Sequence, residues 1–175
     1  MIKTSLLLTA LLFSALALAD QSDFQQPLSV DSDTFFTDIQ TSNLVYERNV
    51  IVQQGSLKIL AEKLEIDGSA GKGAEIFIAT GNPATYSQLM EDGSRVEAEA
   101  QEIRFERADR MLTMTGNAEL RQSGSLVRGA LMRYNIETQQ LNAERGDDEN
   151  GRVRTIFEPA QRQPQNNNQE ENQQP

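Results

Sequence analysis

Apolar positions along this chain come in short stretches that alternate with polar ones, as in Leu44-Val45-Tyr46, Val50-Ile51-Val52, Leu57-Lys58-Ile59 and Leu112-Thr113-Met114. No long segment carries the three-to-four-residue apolar spacing of a capped helix, so the pattern predicts strands. Turn signals separate the stretches: Gln54-Gly55, Asp67-Gly68, Gly81-Asn82-Pro83, Asp92-Gly93, Gly116-Asn117, Ser123-Gly124 and Asn150-Gly151. The prediction is an all-β chain of many short strands.

One motif returns. Ala61-Glu62-Lys63-Leu64-Glu65-Ile66, Ala100-Gln101-Glu102-Ile103-Arg104-Phe105 and Gly129-Ala130-Leu131-Met132-Arg133-Tyr134 each set a small residue before two apolar ones of matching spacing. With Ser32-Asp33-Thr34-Phe35 as a degraded first copy, the units start about 29, 39 and 29 residues apart, a period typical of supersecondary units that must stack to bury their apolar face. A second signature follows in each of the first three units, Arg48-Asn49-Val50, Gly81-Asn82-Pro83 and Gly116-Asn117-Ala118, and in the fourth Arg145-Gly146 falls near its place but matches poorly. Ile59 and Ala61 share one phase, but Leu64 and Ile66 have the opposite one. The same slip separates Ala98 and Ala100 from Ile103 and Phe105, and Val127 and Gly129 from Met132 and Tyr134. Strand side chains alternate with period two, so each slip needs a bulge or corner, where a small residue lets the chain bend. Leu112, Met114, Gly116, Ala118 and Leu120 keep one phase, which makes Gly116-Asn117 a kink within one strand. The expected result is a sheet folded over on itself, with an inner and an outer face.

The ends read differently. Met1-Ile2-Lys3, the apolar run Leu6 to Leu18 and the small-residue site Ala17-Leu18-Ala19 form a secretory leader over residues 1–19, cleaved after Ala19. Residues 20–158 suit a single β domain. Residues 159–175, rich in Gln, Asn and Pro, cannot bury enough surface to offset ordering and are expected to be disordered. The formal charge is −10, one unit more negative once Lys3 leaves with the leader. Such a surface repels phosphate backbones and argues against nucleic acid as a partner.

The chain has no His and no Cys, which removes imidazole acid–base chemistry, the usual nucleophilic triads and ordinary zinc sites, and leaves an exported protein without disulfides. Gly68-Ser69-Ala70-Gly71-Lys72-Gly73 has the wrong spacing for a phosphate loop and is followed by the strand-like Glu75-Ile76-Phe77-Ile78, so it reads as a hairpin loop. Asp147-Asp148-Glu149-Asn150-Gly151 lacks the ligand spacing of a calcium loop. Glu62 with Glu65, and Glu97 with Glu99, sit on the polar phase of strands, where charge is expected without catalysis. No enzyme, cofactor or metal is therefore expected. The inner set (Leu64, Ile66, Tyr86, Ile103, Phe105, Met114, Leu120, Met132 and Tyr134) fits either a closed core or a ligand-binding groove.

Several motifs in order carry a resemblance: Gln26 to Asp33, Asn49 to Gly55 with Leu57-Lys58-Ile59, Gly81 to Tyr86, Thr115 to Leu120, and Gly129 to Tyr134. Together they resemble the OstA-like family of periplasmic lipopolysaccharide-transport proteins over nearly the whole chain up to Phe157. The polar tail, the acidic turn near Asp147 and Arg107, at a position the family pattern makes apolar, depart from it. The resemblance implies a jelly-roll-like folded stack of antiparallel strands with open edges at both ends. It implies a periplasmic carrier that shields the acyl chains of lipopolysaccharide, through its lipid A part, in an apolar groove. The partners implied are further copies joined end to end, an inner-membrane-anchored subunit and the outer-membrane translocon of the same pathway. Carried onto this chain, the lipid-facing residues would include Leu28, Tyr86 and Phe105, and strand phase adds Ile103, Met132 and Tyr134. A non-lipid-carrying β adaptor of the cell envelope is the competing expectation.

Overall fold

The phase slips mark a line along which the sheet bends. The computed structural model describes residues 23–146 and 151–157; the expected leader, the acidic residues Asp147 to Asn150 and the tail from 159 onward lie outside the described residues. The strands are β1 (Ser29–Asp31), β2 (Thr34–Asp38), β3 (Asn43–Gln54), β4 (Leu57–Asp67), β5 (Ile76–Leu89), β6 (Arg95–Glu106), β7 (Met111–Gln122), β8 (Ser125–Asn135), β9 (Gln140–Glu144) and β10 (Arg154–Phe157). They form one antiparallel sheet in the order β1-β3-β4-β5-β6-β7-β8-β10, with β2 also on β3 and β9 also on β8.

The six central strands are longer than the alternation suggested, at 11 to 14 residues each. Gly81-Asn82-Pro83, read from sequence as a turn between strands, lies inside β5. The reason is a seam. Pairing slips between Glu47 and Val50, Leu60 and Lys63, Thr80 and Ala84, Glu99 and Glu102, and Thr115 and Ala118, so each long strand bends in the middle and serves two layers. The small residues Ala61, Ala100 and Gly129 stand at or beside this line, where the sequence placed its corners. Gly116 and Asn117 supply the kink in β7 with φ of +81° and +49°. A Cβ on Gly116 would run into the Gln101 side chain, so both the backbone and the space select glycine there.

The first layer holds β2, β9 and the halves of β3–β8 nearer Asn43, Asp67, Ile76, Glu106, Met111 and Asn135. The second holds β1, β10 and the opposite halves. Their inward faces pack into one apolar cluster. At the chain ends the bend becomes a break: β1 and β2, like β9 and β10, are separate short strands, one in each layer. Both layers therefore end in unpaired edges, β1 and β2 on one side and β9 and β10 on the other.

Candidate functional site

Rows of inward side chains cross the strands between the layers. In the first layer one row runs Tyr46, Leu64, Ala79, Ile103, Met114, Met132 and Ala143. The next runs Leu44, Ile66, Phe77, Phe105, Leu112, Tyr134 and Leu141. In the second layer the row is Val30, Val52, Ile59, Tyr86, Ala98, Leu120 and Val127. Five of the six residues expected to face lipid thus come together: Ile103, Phe105, Met132 and Tyr134 in one layer, Tyr86 in the other. Leu28 stands apart, on the approach to β1 and 37% exposed.

The expected open trough is not what these residues line in this conformation. Phe105 is 4% exposed and the other four are 0–1%, so the interior is packed by its own side chains. The physical cause is that the apolar side chains of the two facing layers pack against one another and so bury their surface. Burial pushes the hydroxyls of Tyr86 and Tyr134 above their ordinary value, so both remain protonated donors. Tyr86 donates to Gln88 Oε1, and Tyr134 to Gln122 Oε1 at 3.0 Å.

Those two glutamines belong to a set the sequence reading missed. Gln54 and Gln122 end β3 and β7, and Gln88 stands one residue before the end of β5, all on the inward phase after Val50-Val52, Ala118-Leu120 and Ala84-Tyr86 respectively. A polar residue closing an apolar phase, evenly spaced three times, was the signal available. In the structure they form the rim of the second layer, on the side opposite the seam. Gln122 Nε2 reaches Gln139 Oε1 at 2.8 Å, so it ties that rim to the β8–β9 turn of the first layer.

Gln54 and Gln88 hold a second closure. Residues 23–26, including a single 3-10 turn at Asp23–Gln25, lie across the slot between the layers. On one side Asp23 accepts bonds from Ser56 N and Oγ, both 2.6 Å, and from Gln88 Nε2 at 2.9 Å. Gln54 Nε2 donates to the Gln26 carbonyl at 2.9 Å. On the other side Phe24 stacks on Phe105 with centroids 6.0 Å apart, and the Arg110 guanidinium lies 4.0 Å over the same ring. Arg107, the departure noted in the sequence, pairs with Glu75 at 3.3 Å and donates to the Phe24 carbonyl. Beside this segment lies a cleft of about 610 Å³ lined by Phe24, Ser56, Gln88, Met90, Arg110 and Ile136 among others. Among the described residues no cluster of acidic side chains could hold a metal ion, and no helix is long and apolar enough to cross a membrane.

A sequence model of the family described as LptA/(LptD N-terminal domain) LPS transport protein matches residues 29–140, the span from β1 into β9. The chain belongs to this family. Among its relatives, the lipopolysaccharide export system protein LptA of Haemophilus influenzae is 34% identical over 163 residues, which cover 92% of this chain and 94% of that one. LptA of Escherichia coli K12 is 35% identical over 152 residues, covering 86% and 81%. The crystal structure of LptH from Pseudomonas aeruginosa, titled as the LptA-homologous periplasmic component of the conserved lipopolysaccharide transport device, matches with a TM-score of 0.72 at 25% identity. It covers 79% of this chain and 100% of that one. Family membership agrees with the motif resemblance, and the shared architecture agrees with the expected all-β jelly-roll-like fold.

Proposed function

We propose that this protein is a periplasmic carrier of lipopolysaccharide that shields acyl chains between its two layers and joins other copies and pathway subunits through its free strand edges, without catalysis. The observation that carries the reading is the set of inward apolar rows: one runs without interruption from Phe35 on β2 to Ala143 on β9, and the other two cross β3 to β8 unbroken and meet a polar residue only at an edge strand, Thr37 on β2 and Thr155 on β10. Each methylene kept from water is worth roughly 0.8 kcal/mol, so exposing one chain of about a dozen carbons costs about 9 kcal/mol. A closed interior is compatible with this role. Parting the layers around a lipid exchanges one apolar contact for another, and only polar ties such as Tyr134–Gln122 must break, each worth about 0.5–1.5 kcal/mol net.

Strand direction supports end-to-end growth. Every neighbour in the sheet is antiparallel, and β1 and β2 run opposite to β9 and β10. A second copy set beside the first in the same orientation continues both layers as antiparallel sheet. Extending the rows across such a joint without slip places Val30 beside Thr155, Leu28 beside Phe157 and Phe35 beside Ala143. Phe157 and Phe35, 76% and 54% exposed in the single chain, would then be covered. In this reading Leu28 contributes to the groove at the joint rather than within one copy.

The packed interior also suits a purely structural adaptor, so the deciding experiment must detect lipid. A benzophenone amino acid at Leu28, irradiated in cells, is expected to yield adducts with lipopolysaccharide and with a neighbouring copy. Protein adducts alone, together with purified periplasmic protein free of lipid by mass spectrometry, would favour the adaptor.

A further inference from the structure

Residues 23–26 reach both layers across the slot, and those contacts divide by chemistry. The carboxylate of Asp23 satisfies the backbone and hydroxyl of Ser56 and the amide of Gln88. Gly55 leaves the room it occupies, since a Cβ there would land on Asp23 Oδ1. Phe24 meanwhile stacks on Phe105 of the first layer, which touches Phe77 in turn. The segment is thus anchored to one layer by hydrogen bonds and to the other by ring packing. It is a contact set that can open as a unit, because its hydrogen bonds are only part-buried and its apolar contact with the core rests on the one ring of Phe24.

What lies beneath it is not a plain core. Removing Phe24 would uncover an apolar floor (Phe105), the guanidinium of Arg110, one edge of the Arg107 guanidinium, and the amides of Gln54 and Gln88. Two arginines flank that ring, Arg107 paired with Glu75 and Arg110 over Phe24, while Asp23, Glu91 and Glu137 line the cleft alongside. Apolar surface flanked by two guanidiniums and two amides is complementary to a phosphorylated amphiphile, with the acyl chain on the ring, phosphate on arginine and headgroup hydroxyls or amides on glutamine.

We propose that the seat of Phe24 is a lipid-binding site at the slot, which residues 23–26 occupy as a tethered surrogate and from which a phosphorylated, acylated lipid displaces them. The inference rests on the carrier reading and adds where the lipid first engages and what it must replace. Phe24 stands in for the acyl chain, and the ring face under Arg110 stands in for the phosphate. Asp23 sets how firmly the seat is held.

The test uses bisphosphorylated lipid A and two readouts. Spin labels at the exposed positions Gln25 and Asp109 report the distance across the slot in an otherwise wild-type protein; saturating lipid should lengthen and broaden it. Asp23→Ala should tighten apparent lipid A binding about three- to tenfold, and Arg110→Gln should weaken it while narrowing the preference for bisphosphorylated over monophosphorylated lipid A. Lipid binding with an unchanged spin-label distance, and with equal affinity in Asp23→Ala, would overturn the surrogate and leave the carrier reading standing. No lipid binding by the wild-type protein would overturn both.

Discussion

Single residues show where this fold tolerates no substitution. Gly116 has φ of +81° and its missing Cβ makes space for Gln101, so Gly116→Ala should destabilise by about 1–3 kcal/mol, read from urea unfolding. Phe105 is instructive in a different way. Its inward phase was legible from the slip after Ala100, but its near-complete burial was not, because burial depends on what the opposite layer and Phe24 bring to it. An aspartate at 105 would be a buried charge and would unfold the domain before it reported on lipid. The three rim glutamines were equally present in the sequence. The pattern alone does not single them out, because a polar residue near a strand end looks like ordinary solvent exposure until the facing layer is in place.

At the scale of elements, the seam explains the repeat. Each unit pairs a small-residue corner in one strand with a second irregularity in its neighbour: Ala61 beside Gly81-Asn82-Pro83, Ala100 beside Gly116-Asn117. Two strands can bend together only if both yield at the same height. Alternation alone could not reveal that the stretches on either side of Arg48-Asn49 or Gly81-Asn82-Pro83 belong to one strand, since a bulge and a turn use the same residue types. The turns are tied to each other as well. Burial works to raise the Glu75 carboxyl, but the Gly73 and Glu75 amides and Arg107 outweigh it and hold it below the ordinary value. A depressed carboxylate stabilises the folded state above its unfolded value, and that contribution is lost as pH falls through the folded one. The tie of the β4–β5 loop to Arg107 should therefore weaken below about pH 4. Glu75→Gln should flatten the acid limb of a thermal-melting series, and an unchanged limb would show that this pair adds nothing.

For the whole molecule the two edge strands of the second layer, β1 and β10, differ in charge. Asp31, Asp33 and Asp38 flank the β1–β2 edge, while Arg152 and Arg154 flank the β10 edge. With the rows continued across a joint, Asp31 falls beside Arg154, both outward-facing and nearest the seam. Asp31→Arg or Arg154→Asp alone should weaken self-association several-fold in sedimentation velocity, and the double reversal should restore it. A double reversal as weak as either single change would reject that register. By itself the sequence determined the strand content, the phase on which apolar residues lie and the heights at which strands bend, because these follow from alternation and local backbone demands. Its ordered motifs also pointed to the family. Only the tertiary structure decided that two half-strands share one continuous backbone, that the inward rows close on each other, and that Asp23–Gln26 seals the slot. Those outcomes depend on contacts between residues far apart in the chain, such as Asp23 with Gln88 or Tyr134 with Gln122, which no local pattern encodes.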